Sequence, residues 1–193
     1  MQRNLKVVLV ALAALASWTV KAQAVDYGDS FTVTFTPVGD RGVMIDTTTI
    51  ALSSLTLGTT VQTSGDVPVT STGTIAPIEY TMQASIAGGW SLSTDGVADA
   101  NNEVALQGLF KATQPSLAEF ESPTATTHII NAAGARQVGD ATPGNYEVSG
   151  GQDLDSLALN AVRNLWLKLK MPPTSDNGAL QTITITVTGE PAS

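Results

Sequence analysis

Ile78-Glu79-Tyr80-Thr81-Met82-Gln83-Ala84-Ser85-Ile86 alternates apolar and polar side chains over nine residues without a break. Side chains on a strand repeat every two residues. The spacing therefore puts Ile78, Tyr80, Met82, Ala84 and Ile86 on one face and Glu79, Thr81, Gln83 and Ser85 on the other. A helix would scatter the same apolar residues around its circumference. The same alternation returns three times, in Phe31-Val33-Phe35, Leu165-Leu167-Leu169-Met171 and Ile183-Ile185-Val187. Threonines fill the polar positions of the first and last of these, and their branched Cβ favours the extended backbone. In Leu165–Met171 the polar face holds Trp166, Lys168 and Lys170, so Trp166 is either partly exposed or covered by another segment or subunit.

Working outward, shorter strand candidates cover 42–46, 50–57, 66–71, 90–93, 104–110 and 126–131. Turn-forming residues separate them: Pro37-Val38-Gly39-Asp40, Gly58, Ser64-Gly65, Gly88-Gly89, Asp95-Gly96 and Pro143-Gly144-Asn145. Pro172-Pro173-Thr174-Ser175-Asp176-Asn177-Gly178 reads as the loop of a hairpin joining the last two strong strands. Only Asp153–Ala161 has helical spacing, with Leu154, Leu157, Ala158 and Ala161 on one side, which predicts one short helical turn. About nine or ten short strands at this spacing predict an all-β, antiparallel sandwich or small barrel, the sandwich being the leading reading. No linker or repeat divides the chain, so residues 25–193 are expected to form a single domain.

The chain has 193 residues, 13% of them charged, and no cysteine. That is about half the usual charged fraction of roughly 25%. The absence of cysteine excludes disulfides, thiolate metal sites and cysteine nucleophiles, and a lone histidine, His128, excludes a multi-histidine metal site.

Residues 1–24 have the form of a cleaved signal peptide. Arg3 and Lys6 precede a twelve-residue apolar run, Val7–Trp18, and Ala22-Gln23-Ala24 supplies the small-x-small cleavage site. The run is shorter than the about 20 residues of a membrane span. The processed protein is then expected to begin at Val25 and to be secreted or held at the cell surface or in the periplasm. Cleavage removes three of the nine basic residues and none of the seventeen acidic ones, leaving a net charge of −11. A polyanion of this kind disfavours nucleic acid and anionic membrane as partners.

Ser54-Leu55-Thr56-Leu57-Gly58-Thr59-Thr60-Val61 followed by Val67-Pro68-Val69-Thr70-Ser71-Thr72-Gly73-Thr74 resembles a pattern of bacterial immunoglobulin-like domains of the choice-of-anchor and Hydin-like type. Those domains carry an "LG-x-V-x-x-G" stretch and then a strand ending in "V-T-N-T-G"; here Ser71 stands in place of the asparagine. The resemblance covers roughly residues 50–93, with Trp90 near the position of a core aromatic, and the hairpin expected over Leu165–Thr188 would match the last two strands. It implies an immunoglobulin-like sandwich serving as a structural or interaction module, and it transfers no catalytic residue.

Few residues have the chemistry of a site. Gly28-Asp29-Ser30 echoes an esterase nucleophile motif, but the only histidine lies mid-chain and lacks the accompanying aspartate. Asp46-Thr47-Thr48 lacks the glycine of an aspartic-protease loop. Glu119 and Glu121 are a carboxylate pair of the kind glycoside hydrolysis uses, although a solvated loop accounts for them as well. His128, beside Ile129 and Ile130, reads as structural. The best ligand candidate is the loop Asp95–Glu103, where Asp95, Asp99, Asn101 and Glu103 offer the hard oxygens that calcium takes. The spacing is not that of an EF-hand, and the simpler reading is a solvated loop.

No catalytic residue and no cofactor other than that calcium ion is expected. The leading expectation is a secreted, non-catalytic structural protein of the cell surface or extracellular matrix, such as a filament or coat subunit. Its partner would be another copy of itself or another surface protein. The alternatives are an extracellular module binding glycan or protein, ordered by calcium, and then a small hydrolase.

Overall fold

A computed structural model describes residues 29–38, 42–47, 49–72, 78–121, 128–131, 136–138 and 157–191. Within them lie eleven strands: β1 (Asp29–Val38), β2 (Val43–Ile45), β3 (Thr49–Leu55), β4 (Thr60–Gln62), β5 (Val67–Ser71), β6 (Ile78–Ala87), β7 (Ser91–Leu92), β8 (Glu103–Phe110), β9 (Arg136–Val138), β10 (Val162–Lys170) and β11 (Gln181–Pro191). Among the described residues the protein is all-β apart from one turn of helix, α1 (Leu117–Phe120). Residues 1–24, expected to be a signal peptide, and Gly28 lie outside the described residues.

One sheet runs β3-β1-β11-β6-β9. The other runs β2-β5-β10-β8-β7, with β4 also paired to β10. Register follows the alternation. Val33 lies beside Ile183, which faces Ile86, and Phe35 lies beside Ile185, which faces Ala84. Thr34 and Thr184 meet on the opposite face, where one hydroxyl donates to the other at 3.0 Å. A slip of one residue would trade these faces, so burial fixes the register. Phe31, Val33, Ile78, Tyr80, Met82, Ile183, Ile185 and Val187 from the first sheet pack in one core with Val67, Val69, Val104, Leu106, Leu165, Leu167 and Leu169 from the second. Trp90 enters it edge-on to Phe31, ring centroids 5.2 Å apart.

Three expectations are corrected. The sheets are mixed, because β1 pairs β11 in parallel and β7 pairs β8 in parallel. Alternation carries no strand direction, and a parallel pair needs only a long connection, which the whole domain supplies for β1 and β11. Leu165–Thr188 is not a hairpin either. β10 lies in one sheet and β11 in the other, and the segment 171–180, with Met171 and Pro172 buried, crosses between them. Ten residues are more than a short hairpin loop uses. Finally, the described part of Asp153–Ala161 is not helical. Leu157 exchanges backbone hydrogen bonds with Ile78 of β6 at 2.8 and 3.2 Å, and Asn160 turns the chain at φ 61°. Burying Leu157 in the core outweighs a single isolated turn. Residues 153–156 lie outside the described residues.

The helical turn forms instead at Leu117–Phe120, where Ser116 donates from both its amide and its hydroxyl to Glu119. That S-x-x-E spacing is a sequence signature of a helix start. Residues 128–131 stitch the layers together. Gly108 of β8 donates to the His128 carbonyl, and Ala84 of β6, in the other sheet, donates to that of Asn131. Among the described residues no helix is long and apolar enough to cross a membrane.

Candidate functional site

The acidic loop between β7 and β8 is held by its own side chains. Asp95 Oδ1 accepts the Ser93 hydroxyl at 2.8 Å and the Val97 amide at 2.9 Å, while the Gly96 amide donates to Ser93 Oγ. The Val97 amide and then the Ser93 hydroxyl hold the Asp95 carboxyl below its ordinary value of 3.8. Glu103 accepts the Ala100 amide, and Asp99 and Asn101 are exposed. Among the described residues, no three acidic or histidine side chains gather where they could hold a metal ion. Chelator added to the processed protein is therefore expected to leave the thermal unfolding midpoint unchanged. A fall of several degrees would instead place an ion on Asp95, Asp99, Asn101 and Glu103.

Asn102, adjacent to those four, carries more of the geometry than any of them. Its backbone is left-handed, at φ 58°, a conformation asparagine tolerates better than most residues. Its amide nitrogen donates to Asp176, and its Oδ1 accepts the Ser175 hydroxyl at 2.7 Å and the Asp176 amide at 3.3 Å. The loop is thereby tied to the 171–180 crossing. Composition alone cannot reveal this pairing, since Asn102 and Asp176 are far apart in sequence.

The crossing in turn closes over Trp90. The Trp90 amide donates to Gln181 Oε1 and its indole N–H to the Asn177 carbonyl at 3.1 Å. Gly88, at φ 117°, makes room: a Cβ there would stand 2.6 Å from the Leu180 carbonyl oxygen.

The outer face of β10 is covered by residues 111–121, which run over it as a strap. Trp166 is only 7% exposed; it packs with Leu109 and Phe120 and donates its indole N–H to the Lys111 carbonyl at 2.9 Å. Lys168, 3% exposed, reaches Glu121 at 2.8 Å and lies 5.9 Å over the Phe120 ring. Gln107 donates to the Phe120 carbonyl, and Gln62 and Gln114 tie the strap to β4 and its flank. Of the two readings of Trp166, coverage by the chain itself is the one found.

The remaining candidates separate. Asp29 and Ser30 open β1, and Asp46 is exposed just after β2. Glu119 pairs with Lys111 at 2.5 Å and Glu121 with Lys168, so the two carboxylates serve different cations. His128 is buried, its Nδ1 3.3 Å from the Phe120 carbonyl. Every aromatic side chain among the described residues is buried, so none of these rings is exposed to stack on a sugar.

The lysine partners draw both carboxyls below their ordinary value of 4.5. A carboxyl lowered by folding adds stability that is complete above its unfolded value and is lost as pH falls through the folded one. The unfolding midpoint is therefore expected to drop as pH is taken below about 4.5, and Glu121→Gln is expected to flatten part of that drop. An unchanged acid slope in that variant would show that the Lys168–Glu121 contact is not made in solution.

No protein-family model matches the chain, and neither a curated protein nor a solved structure is detectably similar to it.

Proposed function

We propose that the chain is a secreted, non-catalytic structural protein of the cell surface or extracellular matrix, an immunoglobulin-like β-sandwich that assembles with copies of itself. One observation carries this reading: Asp95, Glu119, Glu121, Trp90 and Trp166, all nominated for chemistry or ligand binding, are tied into contacts that hold the fold. Asp95 closes its own turn, Glu119 and Glu121 neutralise separate lysines, and Trp90 and Trp166 have their N–H groups bonded inside the protein. Two sheets around a shared core, joined by crossings between layers, support the sandwich. The signal-like segment before Val25 and the acidic charge support export. Intact mass of the protein recovered outside the cytoplasm tests this reading. A species beginning at Val25 is expected; a chain that keeps residues 1–24 or stays in the cytoplasm contradicts it.

A further inference from the structure

Of the four sheet ends among the described residues, three are blunted by their shortness. β2 and β9 are three residues long, β7 is two, and β9 carries Arg136. β3 is different. It is seven residues long, Thr49-Ile50-Ala51-Leu52-Ser53-Ser54-Leu55, with no charge, proline or glycine; its ladder with β1 is regular over 49–52 and shifts register before Leu55. β1 occupies one of its edges, and among the described residues no strand pairs with the other. A groove of about 190 Å³ runs beside that strand, between Ile50, Ala51 and Leu52 on one wall and residues 63–66 on the other. An added strand takes this form of site: backbone hydrogen bonds along the edge and space for its side chains beside it.

We propose that β3 is a self-association site, where two copies of this chain pair β3 antiparallel to β3 across a two-fold axis. Charge selects the occupant. From Thr47 to Gly65 the chain has no charged residue, and Asp66 at the far end of the groove's other wall is the one charge that lines it, while the processed protein carries −11. Two such polyanions repel wherever their acidic surfaces face, so an uncharged strip is where copies approach. Length selects the strand. Pairing β3 with β2, β7 or β9 of another copy would leave most of its seven residues unpaired, whereas β3 with β3 satisfies both edges reciprocally. This proposal rests on the reading of the protein as a self-assembling component.

Ala51 is exposed and one residue from the middle of β3, so in the pair it lies near the axis and near its own copy. Sedimentation velocity of the processed chain is expected to show a concentration-dependent dimer. Ala51→Glu and Ala51→Lys, which change net charge in opposite directions, should both weaken it at least tenfold without moving the monomer's unfolding midpoint. Because the chain has no cysteine, Ala51→Cys should give an oxidised dimer much faster than Cys at exposed Ala158. Dimers that survive both charge changes, with no faster cross-linking at 51 than at 158, would overturn the β3 site and leave assembly standing. Monomers at every concentration would overturn both.

Discussion

Ile185→Asp is expected to unfold the protein, and Thr184→Asp is expected to leave it folded. Ile185 is fully buried in β11, between Phe35 of β1 and Ala84 of β6. A carboxylate there would lie among the apolar side chains of the core, and an unpaired buried charge costs several kcal/mol. Domains of this size have about 5–15 kcal/mol in total, so one such change removes most of it. Thr184 is half-buried on the opposite face, where its hydroxyl meets that of Thr34. An aspartate can still accept that bond and reach water, so its cost is about 1 kcal/mol or less. Denaturant unfolding of both variants reads the difference. If Thr184→Asp proves the more damaging, the facing of β11 is wrong, and with it the register of the central ladders.

The second large effect concerns the strap. Phe120 is fully buried, with Trp166 and Leu109 around it and Lys168 over its ring. Phe120→Ala removes that ring from under a segment whose other ties are hydrogen bonds and the Lys168–Glu121 ion pair, and aromatic-to-alanine changes in cores cost about 3–5 kcal/mol. Loss of the strap would also wet Trp166, which is one of two tryptophans left after Val25, the other being Trp90. A destabilisation of about 3 kcal/mol, with a red shift of the emission in the still-folded variant, is expected. A loss below about 1 kcal/mol with unshifted emission would mean that residues 111–121 do not cover β10 in solution.

The faces of the strands were legible because period two is a local property: Phe31, Val33, Ile183 and Ile185 each declare their side through their immediate neighbours. Strand direction and partner are not local. Nothing near Phe31 says that its strand lies parallel to β11, some 150 residues later. Nor does the Pro172–Gly178 loop say that it changes sheets. The polar face of β6 shows the same limit. Glu79 and Thr81 alternate like solvent-facing residues, yet both are buried, while Gln83 and Ser85 farther along are exposed. Leu157 was legible as apolar, but its helical spacing lost to a bridge with Ile78. At the acidic loop, composition counts oxygens and geometry decides where they point. Asp95 reads as a cation ligand in the sequence, and in the fold its Oδ1 accepts the Ser93 hydroxyl and the Val97 amide. Asn102, which ties the loop to the crossing, offered only a weak signal, its neighbourhood to other turn residues.

The central claim is that this is an assembling structural protein, and sedimentation velocity of the exported, processed chain over a wide concentration range tests it most directly. A concentration-dependent dimer is expected; a single monomer boundary at every concentration would contradict it.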